Sequence, residues 1–298
     1  MAGQLAIFWT PAGITLDSLG SKQLIDLTDG DTPNIRMPIR MLSIDTPETY
    51  PDGPRLDAAF AALVPWIESG RAPIEPALAE ALLPKLRASQ PVTRHKAMGE
   101  RAKKAFERLL EERLTRPDGS RRTLFLRTAD QPFDKNGRLL AYVAPNYSKA
   151  ELEKLSRRER ATFNLLLVEE GWAVPFVLYP SIPGERDLPL LHAAARRAIA
   201  ARLGIWSDPT LLLPYELRAL ERLAQLKARL DKGEKVPPAE LWSWTSRYCA
   251  DMTTRLLYRP QRYCEVAPED RLSIWPEDVR DAVAKLGLAP APSTVAIA

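Results

Sequence analysis

Histidine and cysteine are scarce in this chain, two of each among 298 residues. Cys249 and Cys264 stand fifteen positions apart with no histidine cluster beside them, which argues against a zinc framework of Cys and His ligands. Reduced thiols in a cytosolic setting are the expectation. Long apolar runs are also missing, since no segment approaches the roughly 20 residues needed to cross a bilayer. The short apolar stretch from Leu5 to Trp9 has no basic region before it and no small-residue cleavage site after it, so no leader is expected. These absences describe a cytoplasmic chain without a membrane role. Charge of one sign is lacking as well: 42 Lys and Arg against 38 Asp and Glu single out no partner. With 45% apolar residues, the chain is long enough for a substantial core and one further small domain.

The basic residues are unevenly spread. Between Arg94 and Arg127 eleven Lys and Arg face five acids, a local excess of +6. Such a stretch either attracts a polyanion or forms a solvated helix face laced with i,i+4 ion pairs.

The most informative residues lie between Asp29 and Glu48. If the chain turns about Pro38, Asp31 faces Asp45 across a hairpin, with β-carbons about 5 Å apart. Two facing carboxylates either share a proton or hold a cation, and a hard divalent ion with oxygen ligands suits them. Arg40 offers a planar fork matched to phosphate, and Glu48 on the Thr46-Pro47-Glu48 turn can polarise a water. Metal, phosphate clamp and base together describe phosphodiester hydrolysis. Arg40 and Asp45 are five apart and fall on opposite faces of a flat strand, so the reading requires a bulge near Ser43 or strong coiling of the strand. Each piece has a plainer alternative: Asp-Gly is an ordinary hairpin turn, and Arg138 after Asn136-Gly137 is equally a solvated residue at a strand edge.

Five blocks, in order, resemble the staphylococcal nuclease (thermonuclease) family: Asp29-Gly30-Asp31-Thr32; Arg40 with Asp45-Thr46-Pro47-Glu48; Asp134 to Tyr142; Asn164 to Ala173; and Leu203-Gly204-Ile205-Trp206-Ser207-Asp208. The resemblance spans about residues 22–208. It implies a calcium-dependent nuclease that cleaves DNA, RNA or both to leave 3′-phosphates. One calcium ion would be held by Asp31, Asp45 and the Thr46 carbonyl. Arg40 and Arg138 would hold the scissile phosphate, and Glu48 would act as general base. Lys135 and Tyr179 are the implied substrate contacts. The competing reading is a catalytically silent barrel that binds nucleic acid or protein. A third reading makes the chain a subunit with a protein partner on its C-terminal extension.

The resemblance implies an α+β fold, a five-stranded oligonucleotide-binding barrel with packed helices. Strands are expected at Lys22–Thr28, Ile35–Met37, Ile39–Ile44, Thr123–Thr128 and Leu139–Val143. Helices are expected through Met98–Leu110, from a Ser148/Glu151 capping box toward Arg160, through Phe163–Glu170, and over Leu190–Leu203. His192 on the last of these reads as packing or surface. The expected nuclease domain covers 1–210. Within it, an insertion at about 54–93 reads as two short helices, expected either to cover or narrow the mouth of the site or to form a surface hairpin. Residues 211–288 read as a helical extension, in which Trp242, Trp244, Tyr248, Tyr258 and Tyr263 alternate with arginines, either as core or as base-stacking residues. Residues 289–298 read as a disordered tail.

Overall fold

The computed structural model describes residues 21–134 and 136–292. Its strands are β1 (Gln23–Asp29), β2 (Thr32–Arg36), β3 (Ile39–Met41), β4 (Ile44–Asp45), β5 (Leu124–Phe133), β6 (Leu139–Pro145), β7 (Val174–Pro175), β8 (Val177–Leu178), β9 (Tyr248–Asp251), β10 (Leu256–Tyr258), β11 (Arg271–Ile274) and β12 (Ala289–Pro290). Its helices are α1 (Gly53–Ala61), α2 (Leu63–Glu68), α3 (Pro76–Arg87), α4 (Pro91–Leu114), α5 (Lys149–Lys154), α6 (Phe163–Glu169), α7 (Leu188–Ala200), α8 (Pro214–Asp231), α9 (Pro238–Leu241) and α10 (Val279–Leu286). None is long and apolar enough to cross a membrane. Leu5–Trp9, Lys135 and residues 293–298 lie outside the described residues.

The chain divides into two compact units, one of residues 1–40 and 128–141, the other of 41–127 and 142–298. In the first, β1 and β2 form an antiparallel hairpin whose register runs from Gln23↔Arg36 to Asp29↔Thr32. Asp29-Gly30-Asp31-Thr32 is its turn, as the Asp-Gly pair favours. The expected pairing of Asp31 with Asp45 is therefore corrected. Asp31 sits at the tip of a β1–β2 hairpin, and the cross-strand partner of Asp45 is Val174 in β7.

The expected closed barrel is not formed among the described residues. The strands instead divide into the pair β1-β2, a sheet in the order β3-β6-β5, the pair β4-β7, and a sheet in the order β12-β10-β9-β11-β8. Ser43 marks part of the break: it takes the left-handed φ +61° in the turn that parts β3 from β4. Asn164, 1% exposed, secures this kink. Its amide donates to the Leu42 carbonyl at 2.8 Å, and its oxygen accepts from the Val143 amide at 3.0 Å. The Ser148/Glu151 capping box is present but starts only the short α5.

In the second unit the insertion and the C-terminal extension share one core. Phe60 of α1, Leu63 and Ile67 of α2, and Leu78, Leu82 and Leu86 of α3 pack with Leu217, Leu220, Leu223 and Leu226 of α8. The α8 leucines recur at helical spacing, so one stripe of the helix is apolar along its length. Polar contacts fix the same interface. Lys85 Nζ lies 2.9 and 2.6 Å from the two oxygens of buried Glu216. Trp244, 2% exposed, donates its indole N–H to the Pro73 carbonyl at 3.0 Å. Asp57 of α1 accepts from the Val92 amide at 2.7 Å, placing a carboxylate at the N-terminus of α4.

The insertion is thus a packed wall of three helices, α1 to α3, where two short ones were expected. The extension is not wholly helical either, because after α9 it adds β9–β12. Of these, β11 pairs in parallel with β8, Leu272 against Val177. Arg255 at φ +61° lies in the turn from β9 into β10.

Candidate active site

The kink at Ser43 leads directly into β4 and presents Asp45, which is 1% exposed. Thr46-Pro47-Glu48 follows as a turn pressed against α4. The contact is close because α4 carries Gly99 there: a β-carbon on this residue would lie 2.7 Å from the Glu48 carbonyl oxygen and 2.8 Å from that of Pro47. One helical turn earlier, His95 is fully buried. Its Nε2 accepts from the Glu48 amide at 2.8 Å, while Nδ1 lies 2.8 Å from the Leu212 carbonyl. The carbonyl can only accept, so Nδ1 carries the proton and the ring is neutral. Burial first of all pulls the His95 pKa below its ordinary value near 6.5, against the opposing pull of the Leu212 carbonyl and the Asp45 charge.

This sets the sign of a pH effect. Unfolded His95 takes up a proton near pH 6.5, whereas folded His95 resists it. Its contribution to stability is therefore intact above pH 6.5 and declines as pH falls below it, by at most about 1.4 kcal/mol per pH unit. Thermal denaturation between pH 7.5 and 5.5 should show a falling Tm for the wild type and a flatter profile for His95→Gln, which can supply the same acceptor and donor. Equal slopes in the two proteins would rule out His95 as the source.

The two carboxylates meet at Arg218 of α8. Arg218 Nη2 donates to Asp45 Oδ2, while Nη1 lies 2.5 Å from Glu48 Oε1 and 3.4 Å from Asp45 Oδ1. Burial alone disfavours charge on Arg218, but Asp45 first and then Glu48 outweigh it and hold the guanidinium above its ordinary range. Glu221, on the same helix, lies in the field of Glu48. Burial raises its carboxyl, the Tyr50 hydroxyl opposes that by donating to it at 3.3 Å, and the Glu48 charge adds to the rise.

Asp31, Arg40 and Arg138 belong to the first unit, and Asp45, Thr46 and Glu48 to the second. Arg40 is half-buried in β3. Arg138 is oriented by Asp134, whose Oδ2 accepts from Nε at 2.7 Å while its Oδ1 accepts the Arg138 amide at 3.0 Å. Asp31 is exposed at its turn. Tyr179 is only 5% exposed, and its hydroxyl donates to Asp281, so packing claims the ring that the resemblance offered to substrate. Much of the basic stretch is ion-paired: Arg94 with Asp208, Arg108 with Glu112 and Glu170, Arg121 with Glu111, and Arg122 with Glu151. His192 lies 2.6 Å from Asp270.

Sequence reasoning missed His95, Gly99 and Arg218. The only signal for Arg218 was indirect, namely that the Asp carboxylates needed a cation. Chemically, the oxygens of Asp45 and Glu48 suit calcium. As arranged they receive a guanidinium instead, and no group of three His, Cys, Asp or Glu among the described residues stands together to hold a metal. Of the expected calcium ligands, Asp45 as it stands meets the Arg218 guanidinium.

The sequence model of a family described as staphylococcal nuclease homologue matches residues 38–208. That is more than half the chain, and the chain belongs to this family. No curated protein matches it.

Proposed function

We propose that this chain hydrolyses phosphodiester bonds in DNA, RNA or both, with Glu48 as base and Arg40 and Arg138 holding the phosphate. The observation that carries the reading is the pairing of Glu48 and Asp45 through Arg218. A carboxylate held 2.5 Å from a guanidinium is a poor base until that contact loosens. The planar fork that fits a carboxylate also fits a phosphate oxygen pair. An entering phosphate can therefore draw Arg218 away from Glu48, and Glu48 is then free to take a proton from water. Arg138, held in place by Asp134, meets the charge that builds on the phosphoryl oxygens.

The family is generally calcium-dependent. Calcium dependence here is a proposal in which Asp45 must first release Arg218. The same contact also favours a second reading, a silent nucleic-acid-binding module in which Arg218 permanently satisfies both carboxylates.

Cleavage assays on single-stranded and duplex DNA and RNA, with calcium, with magnesium and with chelator, separate the two readings. The enzyme reading expects cleavage that falls at least about 100-fold in Glu48→Gln and Arg138→Ala, with both variants folded. Tight binding without cleavage in every condition establishes the silent module. Calcium dependence is supported by loss of cleavage in chelator and its return with calcium alone.

A further inference from the structure

The second unit contains a cavity of about 50 Å³ bounded by β7, α8 and β9, with Phe176, Tyr215 and Tyr263 among its walls. About 10–15 Å³ of such space holds one water, so the cavity has room for a group the size of a phosphate. Three arginines line it: Arg222, Arg247 and Arg271. None makes an ion pair among the described residues.

Arg222 Nη1 donates to the Trp244 carbonyl at 3.3 Å, and Arg271 Nε donates to the Val266 carbonyl at 2.7 Å. Arg247 is held over the rings of Phe176 at 5.0 Å and Trp275 at 5.2 Å. Ring contacts of this kind fix a guanidinium while using none of its five N–H donors. Burial, followed by the like charge of Arg218, pulls the Arg247 pKa down to about 10. A partly desolvated cation of this sort gains most from an incoming anion.

An independent observation points the same way. Thr245 lines the cavity, is 9% exposed, and its buried hydroxyl has no hydrogen-bond partner. An orphaned buried hydroxyl costs about 1–3 kcal/mol and is rare in native structures. A ligand oxygen in the cavity would relieve it.

We propose that this cavity is a phosphate-binding site, in which Arg247, Arg222 and Arg271 neutralise the anion and the Thr245 hydroxyl donates to one of its oxygens. Several forked guanidinium groups suit a doubly charged tetrahedral anion better than a single carboxylate. The ligand is a free phosphate or the phosphate of a nucleotide. The site rests on its own residues and not on the nuclease reading.

Isothermal titration of the full chain with inorganic phosphate, thymidine 5′-monophosphate and thymidine tests it. None of these probes holds a diester, and variants at Arg247 and Thr245, which the proposed nuclease site does not use, separate binding in this cavity from binding there. The proposal expects saturable binding of at least one phosphate probe and none of thymidine. It expects at least tenfold weaker binding in Arg247→Gln and a smaller loss in Thr245→Val, with Tm in both variants confirming the fold. Equal affinity for the two phosphate probes assigns a free-phosphate site. Tenfold preference for the nucleotide assigns a nucleotide site. Absence of saturable binding by both phosphate probes, or binding unchanged in both variants, overturns the proposal.

Discussion

Replacing Arg218 with Met should destabilise the protein by about 3 kcal/mol, near the lower end of the range for breaking a buried ion pair by removing one partner. The cost is large because of what remains. Asp45 is 1% exposed, and without Arg218 it loses the guanidinium that accounts for two of its contacts. Glu48 loses its 2.5 Å partner at the same moment. Partial exposure of Arg218 and Glu48, 24% and 25% at the side chain, keeps the figure from the upper end. At 2–4 °C per kcal/mol, Tm should fall by roughly 6–12 °C.

Arg218→Lys should recover less than half of the loss, because an ammonium group cannot span both carboxylates as a planar fork does. The double variant Asp45→Asn/Arg218→Met should recover more, since position 45 then carries no charge to bury, and the coupling can be read from a double-mutant cycle. Thermal denaturation of the four proteins decides the matter. A loss below about 1 kcal/mol for Arg218→Met would mean that the contact is no stronger than a surface ion pair.

Gly99→Ala should be nearly as damaging, by a different route. Its β-carbon would fall 2.7, 2.8 and 2.9 Å from backbone atoms of Pro47 and Glu48. Backbone cannot swing aside as the end of a flexible side chain can, so α4 and the Thr46-Pro47-Glu48 turn must separate. Overpacking of this kind costs about 1–3 kcal/mol. The displaced turn also strains the hydrogen bond from the Glu48 amide to His95. Under the proposed function, moving Glu48 by about 1 Å should lower kcat by roughly 100-fold with a much smaller change in KM. Wild-type Tm together with wild-type kcat in Gly99→Ala would show that the close approach has no consequence.

What could be read from the sequence was local. The five-residue step from Arg40 to Asp45 called for a bulge near Ser43 or a strongly coiled strand, and the strand breaks at Ser43, φ +61°. The Ser148/Glu151 box was legible because an N-cap and its partner are three residues apart. The block from Asn164 onward marked α6, whose first turn carries the side chain that ties Leu42 to Val143. What could not be read was pairing at long range. Nothing near residue 45 indicates that its partner across the ladder is Val174, and nothing in the leucine stripe of α8 indicates that Arg218 reaches Asp45 and Glu48. The aromatic and Arg residues from 242 to 263 fitted a helix by spacing, yet they supply two strands, β9 and β10, and β9 finds its other partner in β11, beyond the reach of local spacing.

The core shared by the insertion and α8 also governs how this protein can be divided. A fragment trimmed to the family match, residues 38–208, would keep Phe60, Leu63, Leu78 and Leu82 and discard the helix that covers them. Each such side chain returned to water costs about 1.5–3 kcal/mol, which exceeds the net stability of an ordinary domain after only a few residues. The familiar part of the chain is therefore not a removable module. Its Thr46-Pro47-Glu48 turn, the wall beside it and the arginine that closes it are assembled only when the last third of the polypeptide is present.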